Sequence, residues 1–249
     1  MYSRSVRLLA TIVSAVSLTG CTAAAVDVQM TIDHLEIRTA VSTLDVDVHS
    51  PGGPTHSGVV VLIDGSDEAQ PSFVSEIIPR LTDAGYSVMT LPTVSSLTGT
   101  ELDSVLQTAY QRLKENQQLS LFAFGDAGPG AWKALESSKG LVRSAVLVSA
   151  PLPEGEIDFS TLAVTGIRGF YAERSASYER SYWKAHLTMR DLSTPHDFLV
   201  YGGGLGDDYY EDSMPLARST WEATITASVE WLDIWRDSAA SDMTRHNHG

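Results

Sequence analysis

The chain has 249 residues and carries 31 acidic against 17 basic side chains, for a formal net charge of −14. An excess of acid on this scale argues against nucleic acid and anionic lipid head groups as partners. The length fits one α/β domain, and the single cysteine excludes a disulfide within the chain.

The first twenty residues are typical of an export signal. Arg4 and Arg7 precede an apolar run over residues 8–18, which is too short to span a bilayer. The run ends in Leu-Thr-Gly-Cys, and this sequence resembles a bacterial lipobox. The resemblance implies cleavage before Cys21 and diacylation of its thiol, which would tether the protein stably to a membrane. An ordinary secretory signal followed by a chance cysteine is the alternative.

These features predict how the chain is divided. Residues 1–20 form the lipoprotein signal peptide, residues 21–25 a lipidated tether, residues 26–236 one domain, and residues 237–249 a disordered tail. We therefore expect an exported protein at the bacterial cell envelope, held on a membrane by the lipid on Cys21.

The predicted elements of the domain begin with strands and then alternate. Apolar residues alternate over 26–48 and predict two or three antiparallel strands, and the run Val59–Ile63 predicts a strand buried on both faces. The pattern of Thr98 with Glu101 predicts a capping box that opens a helix. Further helices are predicted over residues 71–84, from residue 131, over residues 178–187, and from Ser219, where Ser219 and Glu222 form the predicted cap. Further strands are predicted over residues 87–91, 119–124, 144–150, 163–171 and 197–203. This alternation predicts a mostly parallel sheet covered on both faces, with sites beyond the C-terminal ends of its strands.

The segment Leu119–Gly130, LSLFAFGDAGPG, is the most informative part of the domain. It predicts a buried strand, a tight glycine-rich turn and a helix, the arrangement by which α/β-hydrolases present a catalytic nucleophile. The nucleophile position falls on Ala127, whose methyl group has no oxygen or sulfur with which to attack a substrate.

Residues 26–235 as a whole resemble the dienelactone hydrolase family of α/β-hydrolases. The resemblance lies in the order of several short segments: Pro51-Gly52 after the first strands, VVVLI at 59–63, AGYSV at 84–88, the elbow, VYGG at 200–203 and a closing tryptophan-containing helix. It implies an α/β-hydrolase fold, with a mostly parallel central sheet flanked by helices and antiparallel strands at the N-terminal edge.

The same resemblance implies that the catalytic triad is missing. The family's elbow, G-x-C-x-G-G, puts Ala127 at the nucleophile and Pro129 in place of a glycine. The family's acid, in a G-x-x-D segment, falls on Ser175, and its histidine, in Y-P-G-A-G-H-G-F, falls on Gly206. Gly65 and the N–H of Gly128 remain as candidates for lining the pocket or for stabilising an oxyanion.

Substitute catalytic groups are few. Asp126 becomes the nucleophile if the elbow is shifted by one residue, but Phe124 then occupies a position that needs a small side chain. Ser66 and Ser175 could face the pocket, yet a serine without a neighbouring base is a poor nucleophile. The histidines fall away from the predicted site loops, in the N-terminal strands and turn (His34, His49, His56), late in a helix (His186) and at the start of a strand (His196).

Two groups of residues could be taken for metal sites. His246 and His248 stand in the tail, and acidic residues cluster at Asp207, Asp208, Glu211 and Asp212. Neither has the ligand spacing of a zinc or calcium site, so we expect no metal and no cofactor.

The sequence thus predicts a membrane-anchored lipoprotein with a non-catalytic hydrolase-like domain that binds a small ligand or an envelope partner. An active esterase or lactonase that uses Asp126 or a serine is the alternative, and a scaffold without any ligand is a third possibility.

Overall fold

The computed structural model describes residues 30–53, 57–64, 73–91, 98–114, 117–138, 140–162, 165–192, 195–206, 209 and 214–246. The predicted signal peptide, the tether with Cys21, and Gly65 lie outside the described residues. So do Ser66, His56, His248 and the acidic cluster at 207–212. Among the described helices, none combines the length and apolar character needed to cross a membrane.

Within these ranges, eight strands form one sheet in the order β1-β2-β4-β3-β5-β6-β7-β8. The strands are β1 (Thr31–Arg38), β2 (Thr43–Ser50), β3 (Gly58–Ile63), β4 (Tyr86–Leu91), β5 (Gln118–Phe124), β6 (Ser144–Val148), β7 (Gly166–Ala172) and β8 (His196–Tyr201). Strand β1 pairs antiparallel with β2, and β2 antiparallel with β4. All pairings from β4 through β8 are parallel. The predicted sheet, with its antiparallel N-terminal edge, is confirmed.

Helices cover both faces of the sheet. They are α1 (Ile77–Asp83), α2 (Gly99–Gln111), α3 (Gly128–Ser138), α4 (Trp183–Asp191) and α5 (Pro215–His246). A π-helical turn, Tyr178–Tyr182, leads into α4, and a 3₁₀ turn, Gly125–Ala127, leads into α3.

Two apolar clusters form the core, one on each face. Strand β3 shows the division, because Val59, Val61 and Ile63 join the cluster with α2 and α3, whereas Val60 and Leu62 join the cluster with α1 and α5. Every residue of β3 is buried, which explains why the run Val59–Ile63 is apolar without interruption.

The capping box predicted at α2 is confirmed. The Thr98 hydroxyl accepts a hydrogen bond from the Glu101 N–H at 3.3 Å, and the Glu101 carboxylate accepts one from the Thr98 N–H at 3.1 Å. The Ser42 hydroxyl also donates to Glu101, at 2.6 Å, so this carboxylate joins the β1–β2 hairpin to the start of α2.

The last helix differs from its prediction at both ends. It begins at Pro215 rather than Ser219, because a proline at the first helical position needs no partner for an N–H. Ser219 is inside the helix and donates to the Leu216 carbonyl, and Glu222 accepts from Arg218 instead of capping. The helix also continues to His246, past Asp237, where the sequence predicts a disordered tail.

Candidate functional site

The elbow after β5 is a regular helical turn. Gly125 takes the positive φ, +48°, that lets the chain leave the strand sharply. Among the described residues Ser149 is the non-glycine residue with positive φ, so the backbone of Ala127 is unstrained. The methyl group of Ala127 is buried and belongs to the core on the α3 side.

The N–H of Gly128, which the sequence predicts as an oxyanion donor, has a partner inside the turn. It donates to the carbonyl oxygen of Gly125, which closes the 3₁₀ turn. This donor is therefore engaged within the elbow and does not stand free to hold an oxyanion.

The beginning of α3 lies against the end of β6. A Cβ atom on Gly128 would lie 2.7 Å from the Cα and carbonyl carbon of Ala150 and from the nitrogen of Pro151. The Trp132 indole donates to the Ala150 carbonyl at 3.4 Å. Glycine is required at 128 because the neighbouring atoms are main chain, which cannot move aside easily.

Ser175, which the resemblance places at the acid position, forms hydrogen bonds within the chain. Its side chain is buried, and its hydroxyl accepts a hydrogen bond from the Tyr178 N–H at 2.9 Å. A second hydroxyl, that of Ser177, lies 3.0 Å away. The side chain thus supports the start of the π-helical turn, as a helix-capping hydroxyl does.

Gly206, which the resemblance places at the histidine position, lies in the glycine-rich loop after β8. Gly203 and Gly204 have φ values of +84° and +83°, which side-chain-bearing residues rarely adopt. A Cβ on Gly204 would lie 3.5 Å from the Arg174 guanidinium, so this loop lies close to the turn after β7.

Topology brings Ala127, Ser175 and Gly206 to one edge of the sheet. They follow β5, β7 and β8, which are parallel, so all three lie beyond the same C-terminal ends. At the places where the resemblance implies a nucleophile, an acid and a histidine, the chain has an alanine, a serine and a glycine.

The substitute residues are not assembled into a site either. Asp126 is exposed at the elbow. The histidines with described side chains lie elsewhere: His34 contacts Asp47 on the β1–β2 hairpin, His49 lies 3.3 Å from the Thr90 hydroxyl, and His186 lies 3.1 Å from His196. Because His196 is the first residue of β8, this last pair is near the N-terminal end of that strand.

Two buried hydroxyl groups were not anticipated from the sequence. Ser149, with φ of +47°, follows β6, and Tyr171 lies near the end of β7. Neither hydroxyl has a hydrogen-bond partner in the part of the chain that the structure describes. Burial raises the pKa of the Tyr171 phenol, so it stays protonated. Strain at a serine after a strand leaves no signal in a single sequence.

Three cavities in the described part of the chain lie away from the elbow. A cavity of about 170 Å³ is at the β1–β4 end of the sheet beside Arg112 and Lys114. One of about 470 Å³ lies between α2 and α3, and one of about 290 Å³ between α1 and α5. None of these three cavities is lined by Ala127, Ser175 or Gly206.

No protein-family model and no curated protein matches this chain. Several solved structures do match it in fold. Est1E from Butyrivibrio proteoclasticus is 10% identical with a TM-score of 0.58, over 80% of this chain and 99% of that one. The carboxylesterase EstE1, cloned from a metagenomic library, is 13% identical with a TM-score of 0.61, over 84% and 92%. A protein described as a dienelactone hydrolase, from Klebsiella pneumoniae, is 15% identical with a TM-score of 0.59, over 82% and 99%. The chain has the α/β-hydrolase fold.

Proposed function

We propose that this chain is a lipid-anchored envelope protein whose α/β-hydrolase fold no longer catalyses hydrolysis and serves binding instead. The observation that carries the proposal is the set of residues at one sheet edge, Ala127, Ser175 and Gly206, in place of a nucleophile, an acid and a base. A methyl group, an engaged hydroxyl and a hydrogen atom cannot perform acyl transfer.

The local geometry of the elbow supports this proposal. In a hydrolase the nucleophile sits on a strained turn beside a free backbone N–H that stabilises the oxyanion. Here the residue at the nucleophile position is unstrained, and the N–H of Gly128 is bonded to Gly125. An ester carbonyl at this place would meet neither an attacking atom nor that donor.

The positions of the histidines support it further. A serine or aspartate mechanism of this type needs a base within hydrogen-bond reach of the reacting groups. His34 and His49 are on the two antiparallel strands, and His186 and His196 contact each other at the other end of β8. None of these four imidazoles follows a C-terminal end of the parallel strands.

The names of two fold neighbours indicate which ligands to test first. EstE1 is named a carboxylesterase and the Klebsiella protein a dienelactone hydrolase, so small esters and lactones are the first compounds to test. A domain that binds such compounds without cleaving them is stabilised by mass action, because the ligand binds only the folded state.

Thermal unfolding in the presence of short-chain esters and lactones tests the binding role. We expect at least one compound to raise the Tm and to be recovered chemically intact after incubation. Recovery of the corresponding acid, at a rate that depends on protein concentration, would contradict the proposal. If no compound raises the Tm, the small-ligand role is wrong, and co-purification of a partner from membranes tests the remaining one.

The anchor is tested separately. The lipobox-like sequence ending at Cys21 supports attachment of lipid to that thiol. Cells fed labelled palmitate should label the wild-type chain and a Thr22→Ser control, but not Cys21→Ser. Label on the Cys21→Ser variant, or its retention on membranes, would contradict the anchor.

A further inference from the structure

Two histidines meet between α4 and β8, on a part of the molecule that the proposed function does not use. His186 Nδ1 lies 3.1 Å from His196 Nε2, with the ring planes inclined by 68°. His186 is on α4 and His196 begins β8, so the two imidazoles are held by separate elements. A contact of this kind is fixed by tertiary structure.

Neighbouring aromatic rings hold both imidazoles in position. Tyr182 stacks on His186, with 5.5 Å between ring centres and 12° between ring planes. Phe198 meets the His196 ring edge-on at 5.3 Å. Both histidines are half-buried, so the pair is ordered by packing yet open to solvent on part of its surface.

We infer that His186 and His196 form a two-histidine chelate for a late transition-metal ion, with Cu²⁺ the preferred ion. An imidazole nitrogen binds Zn²⁺ or a similar ion at about 2.0–2.1 Å. Two nitrogens 3.1 Å apart can both lie at that distance from one ion, with an angle of about 100° at the metal. This angle lies between those of square-planar and tetrahedral sites.

Metal binding replaces the hydrogen bond of the pair. An imidazole binds a metal ion through a ring nitrogen that carries no proton. The proton shared by Nδ1 of His186 and Nε2 of His196 is therefore released to solvent, and the far nitrogen of the same ring takes one up.

The nearby charges and the number of protein ligands determine how tightly the two histidines should bind a metal ion. Arg190, one helical turn after His186 on α4, is paired with Asp191 at 3.0 Å, which reduces its repulsion of a metal ion. Among the described residues no third histidine, cysteine or carboxylate completes a cluster, so water fills the other positions. The affinities should follow the order Cu²⁺ above Ni²⁺ and Zn²⁺, with Mg²⁺ not bound.

Calorimetric titration of the full chain with Cu²⁺, Ni²⁺, Zn²⁺ and Mg²⁺ tests the inference. The starting protein carries His246→Gln and His248→Gln, so that the tail histidines cannot supply a competing site. We expect one Cu²⁺ per chain, with affinity at least about tenfold weaker in His186→Gln and in His196→Gln. His34→Gln, which alters the other histidine contact, is the matched control and should bind as the starting protein does.

A spectroscopic readout separates ligation from loss of structure. Electron paramagnetic resonance of bound Cu²⁺ should show two coordinating nitrogens in the starting protein and fewer in each single variant, with unchanged circular dichroism. Three outcomes would overturn the inference: no Cu²⁺ bound by the starting protein, unchanged affinity in both single variants, or an equal loss in His34→Gln.

Discussion

Gly128 faces Ala150 so closely that a Cβ atom on the glycine would lie 2.7 Å from the Cα of Ala150. The contact joins the first residue of α3 to a residue just beyond β6, next to Ala127. The turn between β5 and α3 is therefore closely packed against the end of β6.

Gly128→Ala should lower the free energy of unfolding by about 1–3 kcal/mol, because the added methyl group meets main-chain atoms that cannot rotate away. Urea unfolding followed by tryptophan fluorescence measures the difference. Gly53→Ala is the matched control, because a Cβ there would meet nothing within 4 Å. Equal stability of the two variants would show that the elbow is packed more loosely than described.

Ser175→Ala should destabilise the fold by about 1 kcal/mol, as loss of a capping hydroxyl does. The reason is that the Tyr178 N–H loses its acceptor at the start of the π-helical turn. Ser219→Ala, at an exposed position within α5, should change stability by less than about 0.5 kcal/mol. Chemical denaturation of both variants checks this, and a stable Ser175→Ala protein would contradict the structural role.

His49 should make stability depend on pH between about 7 and 5. Burial lowers the pKa of His49, although Asp47 opposes this, so the folded protein takes up the proton at a lower pH than the unfolded chain does. The unfolded state then binds more protons, and the free energy of unfolding falls as the pH drops through this window.

His49→Gln should remove part of that fall. Unfolding curves at several pH values compare the two proteins, and their slopes should agree above about pH 7.5, where the unfolded imidazole is already neutral. An equal or steeper fall in the variant below about pH 7 would contradict the assignment.

The elements that the sequence predicted well are those with a strong local cause. The unbroken run Val59–Ile63 is a strand buried on both faces, and Thr98 with Glu101 forms the capping box. The spacing of Ser219 and Glu222 imitates a capping box, but Pro215 already begins the helix. The local sequence pattern alone could not decide whether the helix begins at Pro215 or at Ser219.

The same distinction applies to the candidate site, where the sequence predicts the positions of residues along the sheet but not the contacts between them. The order of the strands and the elbow is enough to place Ala127, Ser175 and Gly206 beyond the ends of β5, β7 and β8. The bond from Gly128 to Gly125 depends on backbone geometry, and the contact of His186 with His196 depends on how α4 packs on β8. Neither leaves a trace in residue spacing.

Ala127→Ser places a hydroxyl at the elbow but should not create an esterase. None of the described histidines lies at the C-terminal edge of the parallel strands to act as a base, and the Gly128 N–H is engaged. Labelling with a serine-directed fluorophosphonate probe should therefore stay at the level of the wild type. Stoichiometric labelling of the Ala127→Ser variant at its new hydroxyl would reveal an activating base.

Turnover of p-nitrophenyl acetate by purified wild-type protein tests the central claim most directly. The account predicts hydrolysis no faster than in buffer, for the wild type and for Asp126→Asn alike. Hydrolysis by the wild type that co-purifies with the protein and disappears in Asp126→Asn would contradict it, and would make this chain an esterase with an aspartate nucleophile.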